Sequence, residues 1–121
     1  MTSKPAPRRG RKRPGSRRRQ PAGSTSPKSE FLRRLYYELL RVRRIEEKLA
    51  LLYQEQEMRT PAHFSIGQEA VAVGVCAALT AQDVIYSGHR CHAHYLAKGG
   101  NLGGLDAELY GRESGCARGR G

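Results

Sequence analysis

Hydrophobic residues are distributed very unevenly along this chain. No Leu, Ile, Val or Phe occurs before Phe31. From there, apolar residues recur at three- and four-residue steps, as they do on one face of an α-helix: Leu32, Leu35, Leu39, Val42, Ile45, Leu49 and Leu52. Charged residues make up the opposite face: Arg33, Arg34, Arg41, Arg43, Arg44, Glu46, Glu47 and Lys48. The pattern predicts a packing helix over roughly 30–57, capped by Ser29.

A second helix is predicted over roughly 67–79. Ser65 and Gln68 have the spacing of a capping box, in which two side chains satisfy the first free amides of a helix. The side chains that follow are small, and Gly74 lies in the helix interior, where glycine costs about 1 kcal/mol relative to alanine. We therefore expect another backbone to pack closely against this helix and to bury it on more than one side.

The remaining pattern predicts one short strand and two short helices. Residues 83–86 form an apolar run typical of a buried strand. A helix over 92–98 would end at Gly99, since glycine readily adopts the left-handed conformation of a helix end. A last helix over 102–112 would be capped by Asn101. The order helix, helix, strand, helix, helix predicts an α/β fold.

Charge also divides the chain near residue 30, where the hydrophobic pattern begins. Of the 22 Lys/Arg residues, ten lie in residues 1–29 with no acidic residue, so this segment supplies most of the net charge of +11. It has too few apolar side chains to offset the entropy of ordering, which predicts a disordered basic tail at 1–29 and a folded domain at 30–121. The tail fits a solvated appendage, an arm that contacts nucleic acid, or a mitochondrial targeting segment.

Two compositional features concern the cellular compartment. The chain has no apolar run of the roughly 18–20 residues needed to cross a membrane, and acidic residues on the long helix argue against a membrane-surface role. The cysteines are three in number and far apart, which argues against a disulfide framework. These features predict a cytoplasmic protein.

All four histidines lie between residues 61 and 100, so candidate chemistry is concentrated there. His89 and Arg90 follow the predicted strand, a position where α/β folds bind ligands, and a guanidinium suits phosphate. His63 precedes a helix start and could converge on the same crevice. The alternatives are that Arg90 forms a surface or interface pair and that the two histidines are exposed or hydrogen-bonded loop residues. A zinc site is disfavoured because Cys91 and His92 are adjacent and no Cys-x-x-Cys pair exists.

Three segments carry a resemblance to a known family: HFSIGQEAVAVGV at 63–75, YSGHRCHAHYLAKGG at 86–100 and AELYGRESGCARGRG at 107–121. They resemble the alpha subunit of thiamine-diphosphate-dependent 2-oxo acid dehydrogenases of the pyruvate, branched-chain and acetoin types. The preceding LLRVRRIEEKLALLY at 39–53 is similar to that family's first long helix. The resemblance implies an incomplete thiamine-diphosphate-binding fold, with the amino-terminal helices and the first strand.

The resemblance also implies roles for three residues. His63 matches a family histidine near the thiazolium and the 2-oxo acid, where it hydrogen-bonds or transfers a proton as a catalytic residue. Arg90 matches the arginine that contacts the cofactor diphosphate. His89, also cofactor-binding, matches a position that is tyrosine in many pyruvate-type members and histidine in acetoin-like bacterial ones. This departure weakens an assignment to pyruvate. His92 matches a frequent family histidine without an assigned role.

One signature of the family is absent. Its Gly-Asp-Gly and Asn motif does not occur, and Asp83, Asp106 and Asn101 are the only residues of their types. We therefore expect the chain to be the amino-terminal part of an alpha subunit, with the Mg²⁺ ligands farther along, since Mg²⁺ needs hard oxygen ligands.

The resemblance implies oxidative decarboxylation of a 2-oxo acid such as pyruvate, or acetoin cleavage, with acyl transfer to lipoamide. The implied partners are a beta subunit, in a heterotetramer, and a lipoyl-bearing acyltransferase. Two alternatives stay open: a non-catalytic truncated remnant, and a basic nucleic-acid-associated protein acting through residues 1–29.

Overall fold

The computed structural model describes residues 26–121. This part of the chain contains four helices: α1 (Pro27–Tyr53), α2 (Glu69–Ala77), α3 (His92–Ala97) and α4 (Leu102–Leu109). No strand occurs in residues 26–121, so the α/β class predicted from the sequence is not confirmed. The predicted basic tail lies outside the described residues except for its last four.

The long amphipathic helix forms as predicted, with different ends. It begins at Pro27 rather than near residue 30, because Ser26 is the N-cap and its hydroxyl accepts the Ser29 amide at 3.2 Å. It ends at Tyr53 rather than near residue 57. Val42 and Leu49 are buried as expected, but the assignment of Glu46 to the polar face is wrong, because its side chain is fully buried.

The predicted capping box does not form. Helix α2 begins at Glu69, and Gln68 makes no side-chain cap hydrogen bond. Ser65 does not cap the helix, because it lies three residues before the N-cap Gln68, and its hydroxyl donates to the Arg90 carbonyl instead. Gly67 turns the chain into the helix with a φ of +88°, a conformation that favours glycine.

Burial of α2 is one-sided, contrary to the prediction. Ala72, Val73 and Cys76 face the core, whereas Val71 is 61% exposed. A Cβ added at Gly74 would meet no atom within 4 Å, so no backbone packs closely there within the described part of the chain.

The strand predicted at 83–86 does not form. Val84 and Tyr86 are 77% and 96% exposed, and the segment is an irregular loop between α2 and α3. A strand is stabilised by hydrogen bonds to a neighbouring strand, and residues 26–121 provide none.

The two short helices follow the sequence prediction more closely. Gly99 has a φ of +95° just after α3, as expected for a left-handed helix end. The Asn101 side chain caps α4 by accepting the Gly104 amide at 2.9 Å. Helix α4 ends at Leu109, three residues before the predicted end, and Gly111 with a φ of +64° follows.

The core forms where α1 packs against α2 and α3. Its buried apolar members are Val42, Leu49, Met58, Ala72, Val73, Ala93, Leu96, Leu105 and Leu109. No helix within residues 26–121 is both long enough and apolar enough to span a membrane. This packing brings the loop before α2 and the loop before α3 into contact, and both carry candidate site residues.

Candidate functional site

His63, His89 and Arg90 lie together on the two loops, and we call them the His–Arg cluster. The rings of His63 and His89 meet edge to face, with centroids 4.8 Å apart. The Arg90 guanidinium donates to the Phe64 carbonyl at 2.5 Å, next to His63 in the chain. All three side chains are exposed, so a ligand can reach them.

This convergence agrees with the sequence prediction, although the strand on which that prediction depended is absent. His89 and Arg90 were expected to follow a strand at 83–86, and that strand does not form. Two hydrogen bonds tie the loops instead: Arg90 donates to Phe64, and the Ser65 hydroxyl donates to the Arg90 carbonyl at 3.4 Å.

Aromatic side chains pack around Phe64, the residue that follows His63 in the chain. The Phe64 ring lies edge-on to Tyr53, with centroids 5.8 Å apart, and 6.1 Å from the ring of His92. His92 is only 7% exposed, and its Nδ1 has no hydrogen-bond partner in the described residues. Burial lowers the pKa of His92, which favours the neutral imidazole. His92 therefore packs as a buried ring beside Phe64. The fourth histidine, His94, lies 3.1 Å through Nδ1 from the Ser87 hydroxyl.

A buried carboxyl group ties the loop before α2 to α1; this loop, residues 59–68, is called the first loop. The Oε2 atom of Glu46 accepts the Ser65 amide at 2.9 Å, and Oε1 has no partner in the described residues. Burial raises the pKa of Glu46, the Ser65 amide and Arg90 act against that rise, and Glu69 adds to it.

A second glutamate fastens the same loop at its other end. Arg43 on α1 donates two hydrogen bonds to Glu69, at 2.5 and 2.9 Å, and the Gly67 amide donates a third at 2.9 Å. The Arg43 hydrogen bond is the largest cause that lowers the pKa of Glu69 to about 2. This charge-assisted pair fixes the start of α2 against α1.

Neither Glu46 nor Glu69 is among the site residues that the sequence predicts. Glu46 falls four residues after Val42 and three before Leu49, in phase with the buried stripe, and that spacing was the available signal. Glu69 is a charged residue at the head of an otherwise apolar helix. Its partner Arg43 is 26 positions away, which no local pattern indicates.

The chemistry available at the cluster is anion binding and proton exchange. A guanidinium has several N–H donors in a planar fork, and the Phe64 carbonyl uses one nitrogen of Arg90. The two neighbouring imidazoles have ring nitrogens that can donate or accept hydrogen bonds, and imidazole is a common proton-transfer group in enzymes. Residues 26–121 contain no group of three or more His, Cys, Asp or Glu side chains that could hold a metal ion. The described residues therefore do not by themselves fit Mg²⁺.

Comparison with known proteins shows which sequences this chain is similar to. The family described as dehydrogenase E1 component matches residues 37–121. A mitochondrial pyruvate dehydrogenase E1 component subunit alpha from Chaetomium thermophilum is 40% identical over 90 residues, or 74% of this chain and 22% of that protein. The alpha subunit of an acetoin:2,6-dichlorophenolindophenol oxidoreductase from Bacillus subtilis is 41% identical over 87 residues, or 72% and 26%.

A third relative is the mitochondrial pyruvate dehydrogenase E1 component subunit alpha-1 from Oryza sativa, 48% identical over 80 residues, or 66% of this chain and 20% of that protein. No solved structure matches the chain. The chain spans about a quarter of the length of these relatives. Because the family match covers more than half of the sequence, including the His–Arg cluster, the chain belongs to the dehydrogenase E1 component family.

Proposed function

We propose that residues 26–121 form one wall of a thiamine-diphosphate site in the alpha subunit of a 2-oxo acid or acetoin dehydrogenase. The observation that carries this proposal is the His–Arg cluster, whose three exposed side chains meet on two loops inside the family match. The bound cofactor supplies the carbanion chemistry of such enzymes, and protein groups bind and orient it.

Arg90 is the residue suited to the cofactor diphosphate. Its guanidinium is exposed, and its bond to the Phe64 carbonyl holds one end of the fork against the first loop. The remaining N–H donors can pair with anionic oxygens. Arg90 would thus bind the diphosphate and keep the two loops together.

His63 is the residue suited to proton exchange with the substrate. Its ring is exposed, and the edge of the neighbouring His89 ring restricts its orientation. A held imidazole can donate a hydrogen bond or move a proton at the reacting oxygen. His89 would act as its neighbour on the cofactor side, as the sequence resemblance implied.

The wider assignment is also a proposal. A protein of this kind would oxidatively decarboxylate a 2-oxo acid such as pyruvate, or cleave acetoin, and pass the acyl group to lipoamide. Its partners would be a beta subunit and a lipoyl-bearing acyltransferase. Relatives of both the pyruvate and the acetoin kind match at similar identity, so identity does not separate the two substrates. The cytoplasmic location and the Mg²⁺ requirement stay predictions.

The experiment is His63→Ala in the assembled enzyme, with the complete alpha subunit that carries this chain and its beta subunit. We expect kcat to fall by about 10²-fold or more, as for loss of a positioned acid–base group, while cofactor affinity stays nearly unchanged. His94→Ala is the matched control, because His94 bonds to Ser87 and lies outside the cluster. Unchanged turnover in His63→Ala would remove the role proposed for His63.

A further inference from the structure

We infer that Glu46 is a positioning residue for the cofactor site: its buried carboxyl group holds the Ser65 amide and so sets where His63 and Arg90 stand relative to each other. The inference rests on the proposed function, because it concerns the same cluster. Glu46 lies on α1 and reaches the cluster through the first loop.

A short chain of contacts links Glu46 to both sides of the cluster. The Oε2 atom accepts the Ser65 amide at 2.9 Å, and the Ser65 hydroxyl donates to the Arg90 carbonyl at 3.4 Å. His63 lies two residues before Ser65. The first loop has no strand or helix hydrogen bonds of its own at Ser65, and the Glu46 contact ties this part of the loop to α1.

A role in packing alone does not explain this side chain. Glu46 is fully buried between Val42 and Leu49 on the same helix face, where an apolar residue of similar size would fill the space. Burying a carboxyl group costs free energy unless its hydrogen bonds are made, and here one oxygen has no partner in the described residues. The contact that offsets part of this cost is the one to the Ser65 amide.

The charges around Glu46 favour its neutral form. Burial is the largest influence and raises the pKa of the carboxyl group; among the charged neighbours Glu69 on α2 adds to the rise and Arg90 opposes it. Glu69 is itself paired with Arg43, and His92 on α3 is favoured as a neutral ring. A neutral acid still accepts the Ser65 amide through its carbonyl oxygen, as a glutamine would.

The test compares three variants in the assembled enzyme containing the complete alpha subunit. Glu46→Leu keeps the volume and removes the acceptor, Glu46→Gln keeps the acceptor, and Glu47→Gln is the control, since Glu47 makes only long ion pairs of 3.7 and 3.9 Å at the surface. Cofactor affinity is measured by titration, and the opening of the loop by hydrogen exchange at residues 63–68.

We expect Glu46→Leu to weaken cofactor binding by about tenfold and to speed exchange at residues 63–68 by a similar factor, as for one lost hydrogen bond to a buried amide. Glu46→Gln and Glu47→Gln should stay within about threefold of the parent. Parent-like affinity and exchange in Glu46→Leu would overturn the inference. So would a Glu46→Gln variant as impaired as Glu46→Leu, because then the amide acceptor is not what matters.

Glu46→Gln also provides a test if Glu46→Leu does not fold. Above the raised pKa of the carboxyl group, the parent must carry a buried charge, so the opening of its first loop should increase with pH relative to Glu46→Gln. The same pH dependence in both proteins would overturn the inference. Arg90→Ala separates a failure of the proposed function from a failure of the inference about Glu46. If Arg90→Ala leaves cofactor affinity unchanged, the proposed function fails. If Arg90→Ala weakens binding but Glu46→Leu does not, only the role of Glu46 is removed.

Discussion

Two irregular loops of this molecule are each fastened by a glutamate from a helix, in opposite ways. Residues 59–68, which carry His63, are held by Glu46, which accepts one amide. Residues 111–121 are held by Glu108 of α4, which accepts three amides, from Ala117, Gly119 and Gly121, at 2.7, 2.9 and 2.7 Å. Both glutamates are buried.

The balance between burial and donated amides differs between the two glutamates, and their pKa values shift in opposite directions. The pKa of Glu108 is lowered by its backbone hydrogen bonds, that of Gly121 most of all, so the second loop is built around a carboxylate anion. The pKa of Glu46 is raised by burial. The comparison therefore distinguishes a loop held by a carboxyl group whose pKa is lowered, Glu108, from a loop beside the candidate site that is held by one whose pKa is raised, Glu46.

Glycine is required in the second loop for steric reasons. A Cβ added at Gly115 would lie 2.7 Å from Cα of Glu108, and Gly119 has a φ of +69°. The chain can wrap this closely around Glu108 only where side chains are absent. The first loop does not wrap around Glu46 in this way, and Glu46 accepts only the Ser65 amide from it.

The largest effect should follow from removing Glu108. Glu108→Leu leaves three amides without their acceptor, so hydrogen exchange at Ala117, Gly119 and Gly121 should speed up by at least about tenfold. Glu113→Leu is the matched control, because Glu113 is an exposed glutamate in the same loop. Equal exchange in the two variants would show that Glu108 does not hold the loop.

A smaller effect should follow from breaking the Arg43–Glu69 clamp, the ion pair that holds the other end of the first loop. Arg43→Ala removes both hydrogen bonds to the buried Glu69 and leaves that carboxylate without its cation, so it should lower the free energy of unfolding clearly more than Arg44→Ala does. Arg44→Ala, whose side chain is 75% exposed and 3.7 Å from Glu47, should change it by about 0.5 kcal/mol or less. A comparable loss in both, measured by denaturant unfolding, would contradict the clamp.

The smallest effects should appear as pH dependences of opposite sign. Glu69 has a pKa of about 2 against an ordinary 4.5, so the stability it contributes, about 1 kcal/mol after screening, is present above pH 4.5 and lost as pH falls toward 2. Glu69→Gln should therefore approach the parent in acid. Glu46 has a raised pKa, so its neutral form contributes stability below about pH 4.5 that is lost as pH rises through the folded value.

Glu46→Gln should consequently match the parent near pH 4.5 and become the more stable protein at higher pH. Unfolding midpoints of both variants and the parent, measured from pH 3 to 8, check the two signs. Parallel curves for the two variants would contradict the assignment of opposite ionisation preferences to these glutamates.

What the sequence predicted correctly depends on local rules. The stripe through Val42 and Leu49, the cap at Asn101 and the left-handed Gly99 each follow from spacing or from the conformational freedom of one residue. The strand at 83–86 was wrong because strand formation depends on a neighbour that a local pattern does not contain.

The sequence predicted the residues of the candidate site but not the residues that hold its loops in place. Motif resemblance singled out His63, His89 and Arg90, and the structure brings them together, while their roles remain predictions. Glu46 was placed on the wrong face because charge was taken to mean exposure, although its spacing matched the buried stripe. The Arg43–Glu69 clamp depends on helix packing across 26 positions, which no local pattern could reveal.

The central claim is that the His–Arg cluster belongs to a cofactor diphosphate site, and a cofactor titration of Arg90→Ala tests it most directly. In the assembled enzyme, loss of a charge-assisted contact of about 1.5–3 kcal/mol should weaken thiamine diphosphate binding by roughly ten- to a hundredfold. Arg112→Ala removes an exposed arginine from the loop at residues 111–121 and should leave the affinity unchanged. The same titration midpoint for Arg90→Ala and the parent would place Arg90 outside the diphosphate site and contradict the account.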